Sequence, residues 1–292
     1  MKIYMLWDME GTSGLFTKDQ AWYWHEGVPP EVKEAGLRLL MADVAAATAA
    51  ALDAGADEVI VCDTHHGGGN LRIPEMRLHP RITYYGRSRA PAPEGQRGRW
   101  MPGLDESVHG FMRPGHHAKA GTPDAFLPHT SNLDWLDFRI NGQSVGEIGL
   151  EACYAAHFGA PLILVQGDEA ACQEAEAQFP GVVTAPVKRA VDQWTATGLD
   201  AAAARRLTAE KVAEAVTKLR RGDAPAPFQT ALPMAVAVRL ATVQAADRIA
   251  QRPGVRRVDD HTVEGVVPRR ADVLAWLTGD GLRDGLRDGP QP

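Results

Sequence analysis

The sequence has little cysteine, no excess of basic charge and no uninterrupted apolar run of membrane-spanning length. Its 292 residues hold three cysteines, Cys62, Cys153 and Cys172, an odd number at wide spacing. That excludes a disulfide framework and a cysteine-type zinc site, and it points to a reducing, cytoplasmic compartment. Lys and Arg number 31 against 37 Asp and Glu, a net charge of −6. With no basic block, the chain lacks the electrostatic footprint of a nucleic-acid or anionic-membrane partner. The N-terminus shows neither a charged leader nor an apolar signal core, and no run reaches the ~18 apolar residues of a membrane span. No Lys-Ser/Thr follows the glycine-rich "HHGGGN", so a phosphate loop is weakly signalled. Aromatics make up 7% of the chain, and the segment "DQAWYWHEGVPP" is unusually rich in them.

What is present is the rhythm of an α/β protein. Residues 3–7 read as a buried strand, residues 31–54 as a long helix that starts after Pro29-Pro30 and stops at Gly55, and residues 57–63 as a second strand. At this spacing they make a βαβ unit with parallel strands. Helix, strand, helix and strand resume over 146–159, 161–168, 169–179 and 182–187. The expected architecture is a three-layer αβα domain with a mainly parallel sheet, plus a second, smaller α+β domain. Residues 1–78 and 143–190 would form the first. Residues 79–142 and 191–278 would form the second, with strands at 233–241 and 261–268 and helices near 208–221 and 270–278. The tail at 279–292, with its repeated Leu-Arg-Asp-Gly, reads as disordered.

The opening strand stops in Asp8 and Glu10, followed by a Gly-Thr-Ser-Gly turn. The carboxyl ends of strands are where α/β proteins bind ligands. Residues i and i+2 of an extended segment point the same way, so the two carboxylates could converge. Such a pair needs a proton or a metal ion as counter-charge. Imidazoles stand at comparable places: His65 with His66 after the second strand, His117 with His116 in "RPGHHAKAGT", and His129 in "FLPHTSN". Glu147 opens a helix, where the dipole favours a carboxylate in any case. Spacing alone does not choose within the two adjacent pairs. His25, His79, His109, His157 and His261 read as ordinary surface residues. The set suits zinc or another late divalent metal, and is large enough for two ions. Asp63, two residues before His65, is a candidate orienting group.

Two families share the opening motif. Haloacid-dehalogenase-like magnesium phosphatases end a strand in Asp-x-Asp-Gly-Thr, with the first Asp as nucleophile. Here that role would fall to Asp8, but Glu10 replaces the second Asp and the histidines are left unused. The chain resembles the bacterial zinc D-aminopeptidases of the dipeptide-transport-operon type much more closely. It does so through collinear blocks over about residues 1–190: "YMLWDMEGTSGL", "AGADEVIVCDTHHGGGNL", "GHHAKAGT", "LPHTS", "INGQSVGEIGL" and "VQGDEAACQEAE".

The resemblance implies that Asp8 bridges two zinc ions. Glu10 and His117 match ligands of one ion, and His65 and Glu147 match ligands of the other. The family's first ligand His stands five residues before an Asn-Leu pair, as His65 does before Asn70-Leu71. Its second precedes Ala, as His117 does. His129 matches a catalytic His that binds no metal. The family also implies short peptide substrates and a decameric ring with its sites facing an inner chamber. His66 and His116 replace smaller or tyrosyl residues, and Asp43 and Ala45 stand where the family commonly has Glu and Asn.

Overall fold

Alternation in the opening run decides the layering. In the computed structural model, which describes residues 1–76, 79–86, 93, 94, 96 and 100–274, residues Lys2–Trp7 form β1. Ile3, Met5 and Trp7 enter one apolar core and Tyr4 and Leu6 another, because successive side chains of a strand point to opposite faces. Both faces therefore need cover. A short helix α1 (Lys18–Ala21) follows, then α2 (Pro30–Asp53), β2 (Glu58–Asp63), β3 (Ile82–Gly86) and β4 (Val108–His116). The hairpin strands β5 (Trp135–Ile140) and β6 (Gln143–Val145) lead into α3 (Glu147–His157), β7 (Leu162–Asp168) and α4 (Glu169–Gln178). Next come β8 (Val183–Ala190), β9 (Ala196–Gly198) and α5 (Ala201–Arg221), and then β10 (Met234–Leu240), α6 (Val243–Ala250), β11 (Val255–Arg257) and β12 (Thr262–Val267).

One sheet has seven strands in the order β3-β2-β1-β4-β7-β8-β9, the other five in the order β11-β12-β10-β5-β6. The larger sheet is parallel except for β9 at its edge; the smaller is antiparallel throughout. α2 and α5 cover the Ile3–Met5–Trp7 face. α3 and α4 cover the other, where Phe138, Val236 and Val263 of the small sheet join the same core. The expected α/β class with an added antiparallel unit is what forms.

The domain division shifts. Residues 79–142, expected wholly in the second unit, give β3 and β4 to the large sheet and only β5 and β6 to the small one. α5, expected in the second unit, packs on α2 and the large sheet. "VHGFMRPGHH" hides a central strand because Gly110, Arg113, Pro114 and Gly115 interrupt the usual apolar run. α2 is also, by length and composition, apolar enough to cross a membrane, contrary to the reading from uninterrupted runs, but half of its most apolar stretch is buried within the fold. The tail at 279–292 and most of the expected helix at 270–278 lie outside the described residues; Arg270–Asp272 form a single 3-10 turn.

The chain runs from β1 outward through β2 to β3, then returns to β4 on the other flank of β1 before continuing through β7 to β8. Strand order therefore reverses between β1 and β4. The crevice beyond their carboxyl ends is the default ligand site of such a sheet.

Candidate metal centre and active site

Asp8 follows β1 and His117 follows β4, one on each side of that reversal. Backbone bonds tie the two strand ends together: Asp8 N–H donates to Pro114 O at 3.1 Å, and Gly11 N–H to Gly115 O at 2.7 Å. The approach is so close that a Cβ on Gly115, at φ +77°, would lie 2.1 Å from the Asp8 carbonyl oxygen. Only glycine fits there. β1 has already ended at Trp7, so Asp8 and Glu10 converge through a turn, closed by Thr12 N–H donating to Met9 O at 3.0 Å, rather than through an extended i, i+2 register.

Buried polar side chains hold that turn. Gln166 accepts from Gly115 N–H at 2.6 Å and donates to Gly11 O at 3.0 Å. Lys188 of β8 donates to Glu10 O at 2.7 Å, and burial pulls its ammonium down to about 7. Asp43 of α2 accepts from Ser13 N–H at 2.8 Å.

His65 lies just beyond β2, with Nδ1 2.8 Å from Asp8 Oδ1 and 3.2 Å from Glu10 Oε2. Its Nε2 meets Ala21 O at 2.8 Å. Asp63 does not touch the ring. It shapes the loop through Asn70, whose side-chain amide donates to Asp63 Oδ1 at 2.8 Å and to His65 O at 2.7 Å. Gly67, Gly68 and Gly69 all have positive φ, which accounts for "HHGGGN" without a phosphate.

His117 places Nε2 3.6 Å from Glu147 Oε1 and 3.8 Å from Asp8 Oδ2. His129 stacks on the His117 ring with centroids 3.8 Å apart, and its Nε2 lies 3.9 Å from Glu147 Oε1. Ser131 N–H donates to that same Glu147 oxygen at 2.7 Å. All six expected residues therefore meet in one place. His65 lies closest to Asp8 and next to Glu10, and His117 closest to Glu147. Glu10 also stands in a cluster with His117 and His129.

Charge explains the titration of these groups. Burial and Glu10 push Asp8 up, but His65 and His117 overcome them and hold it below its usual value. Glu10, despite burial, is drawn well below its usual range by His65 and His117. Burial lowers both His65 and His117, yet the carboxylates around them raise both overall. In His129, burial and the neighbouring His117 prevail and its pKa falls.

The donor set fits metal. His117 Nε2 is buried with no hydrogen-bond partner among the described residues, an arrangement that costs ~1–3 kcal/mol unless something is bound there. It faces Glu147 Oε1 and Asp8 Oδ2, and the neighbouring histidines hold Asp8 below its usual value. A mixed nitrogen and oxygen set of this kind suits zinc.

His66 and His116 border the site and carry other contacts: His66 lines the pocket, and His116 Nδ1 lies 3.7 Å from Asp8 Oδ2 in a cluster with His117. His66 takes a left-handed backbone (φ 47°) and stacks its ring on Trp24. His116 engages Arg113 Nη2 through Nε2 at 2.8 Å, and its pKa is driven well down by burial and by that guanidinium.

Some residues around the site were not legible. Trp22 donates its indole N–H to Glu10 Oε1 at 2.8 Å. His25, expected to be ordinary surface, lines the pocket beside Trp22. Fully buried Arg113 spans Glu151 Oε2 at 2.6 Å, Leu6 O at 2.6 Å and Asp8 Oδ2 at 3.4 Å. An Arg inside a strand next to Pro114 was the one available signal. Removing one partner of such a buried pair costs ~3–5 kcal/mol, whereas replacing both with apolar side chains is often nearly neutral. Glu151→Leu should lower unfolding stability by about that amount. Arg113→Met combined with Glu151→Leu should recover most of it in chemical denaturation. An additive double variant would show that the two residues are not coupled.

The profile of peptidase family M55, described as D-aminopeptidase, matches residues 1–278. The chain belongs to this D-aminopeptidase family. It is a metallo-aminopeptidase, a hydrolase acting on peptide bonds. A curated D-aminopeptidase of Bacillus subtilis (strain 168) is 34% identical over 221 residues, 74% of each chain. The solved structure of the Zn-dependent D-aminopeptidase DppA from Bacillus subtilis, described as a self-compartmentalizing protease, superposes with a TM-score of 0.83 at 28% identity. It covers 96% of this chain and 95% of that one. The family match thus runs well past residue 190, the end of the resemblance read from the sequence. It displaces the phosphatase alternative, which also leaves the imidazoles around Asp8 without a role.

Proposed function

We propose that the chain is a binuclear zinc aminopeptidase removing the N-terminal residue, a D-amino acid, from short peptides or aminoacyl amides. The observation that carries this is the convergence of Asp8, Glu10 and Glu147 with His65 and His117 at the switch point, with His117 Nε2 buried and unpartnered. These five residues would hold two ions, with Asp8 central to both. Bound zinc supplies Lewis acidity and lowers the pKa of water toward about 7.

The protein's own part is positioning and proton transfer. His129 Nδ1 sits 2.9 Å from Leu127 O. That carbonyl can only accept, so Nδ1 carries the proton and Nε2 is left free as the base. Its depressed pKa keeps the ring neutral at neutral pH. Stacking on His117 and an edge-on contact from Trp22 at 5.5 Å hold its plane. The pocket over these groups encloses about 290 Å³, the lower end for small-molecule sites, which favours a short substrate.

Three free, buried thiols accord with a reducing, cytoplasmic setting. We also propose a homodecameric ring, since the similar DppA is described as self-compartmentalizing.

Purified protein should hydrolyse D-alanine amide faster than L-alanine amide. Chelation should abolish that activity and zinc restore it. Hydrolysis by a metal-free preparation would refute the zinc reading, and an L-preference would refute the stereochemical one. Light scattering should report many subunits. A clean monomer would remove the chamber while leaving the catalytic assignment in place.

A further inference from the structure

One wall of the pocket is built from the aromatic segment before α2, where Trp22 supports Glu10 and His129 and Trp24 contacts none of the six proposed catalytic and metal-binding residues except the His65 ring. Trp24 stacks on His66 with centroids 4.0 Å apart and planes 6° from parallel. Trp24 remains 40% exposed, and both rings line the pocket beside Asp8, Glu10 and His129. Trp22 continues the wall inward, 6.4 Å from Trp24 and 5.5 Å from His129. Exposed Leu133 lines the same pocket.

The backbone gives a second, independent pointer. His66 holds φ 47°, ψ 38° directly before three glycines with positive φ. Left-handed backbone is strained for a residue with a side chain, and glycine adopts it freely. A histidine kept in that conformation places its imidazole flat beneath Trp24. Strain retained at a functional site is a pointer to a task. A flat, half-exposed π surface next to the reacting groups is suited to offset stacking with another ring.

We propose that Trp24 and His66 form a stacking platform that makes this enzyme selective for substrates with an aromatic side chain next to the scissile bond. The proposal rests on the aminopeptidase reading for its reaction and adds the substrate class.

Two measurements test it on the zinc-loaded protein. The first is kcat/KM for phenylalanine amide against alanine amide, in both enantiomers, and for alanyl-phenylalanine against alanyl-alanine. The second, which needs no turnover, is calorimetric binding of phenylalaninol against alaninol. The wild type should favour the phenyl compound by at least about ten-fold, the scale on which pocket contacts discriminate. Trp24→Ala should bring the ratio close to one, chiefly through KM. Trp24→Phe should keep most of the preference. His66→Gly, at a backbone position glycine accepts, should lose part of it. Zinc content and oligomer mass should match the wild type in each variant.

A ratio that Trp24→Ala does not move overturns the platform and leaves the aminopeptidase intact. A Trp24→Ala protein of altered oligomer mass also overturns it, because the exposed face would then be covered by a second copy of the chain. If no amide or peptide is hydrolysed, the aminopeptidase reading fails, and the phenylalaninol titration decides the platform alone.

Discussion

His117→Ala and His65→Ala should each lose bound zinc and nearly all hydrolytic activity. Each removes an imidazole that lies among the site's carboxylates. His66 is held against Trp24 on a left-handed backbone, and His116, 3.7 Å from Asp8 through Nδ1, is engaged by Arg113 through Nε2. His66→Ala and His116→Ala should therefore retain zinc, with activity losses of about 10–100-fold at most, the usual scale for residues that support metal ligands. Metal analysis of the four purified variants beside their activities decides the matter. Loss of zinc from His66→Ala with retention in His65→Ala would put the wrong member of the first pair at the centre.

The same site should release metal in acid. Without an ion, the carboxylates push both His65 and His117 above their usual value. Those protons must leave before metal binds, so zinc affinity falls as pH falls through these raised pKa values. Dialysis at a series of pH values with zinc analysis would show it, and affinity that is flat with pH across that range would count against imidazole ligation.

His129→Ala should separate metal binding from turnover. His129 stands within reach of Glu10 and His117, so a third imidazole ligand is the competing assignment. Its Nδ1 is engaged by Leu127 O, and burial with the adjacent His117 keeps the ring neutral. Those are the properties of a base. Loss of a general acid–base group lowers kcat by roughly 10²–10⁴-fold, while zinc content and inhibitor binding should persist. A zinc-depleted variant would assign His129 as a ligand, and a zinc-replete variant of full activity would exclude it from both roles.

Much of this site could be read before any tertiary structure. An apolar strand ending in Asp8 and Glu10, a βαβ spacing that brings His65 to the same sheet edge, and Glu147 at a helix start are local patterns. They depend on strand and helix periodicity and on where α/β sheets bind ligands. The convergence followed even though the detailed reason changed, since a turn rather than an extended register aims Asp8 and Glu10.

The sequence by itself determined the kinds of groups available, their order along the chain and the parallel βαβ frame. Each of these depends on residues close in sequence or on the chemistry of a single side chain. The tertiary structure alone decided what the second histidine of the first pair and the first of the second do: His66 takes a left-handed backbone and stacks on Trp24, and His116 is engaged by Arg113. It alone placed "VHGFMRPGHH" at the centre of the sheet rather than in a second domain, through pairing with a strand about a hundred residues earlier. The Arg113–Glu151 pair and the Trp24–His66 platform were equally hidden, because neither exists until segments far apart in sequence are packed together and the interior must satisfy the charge and strain that packing creates.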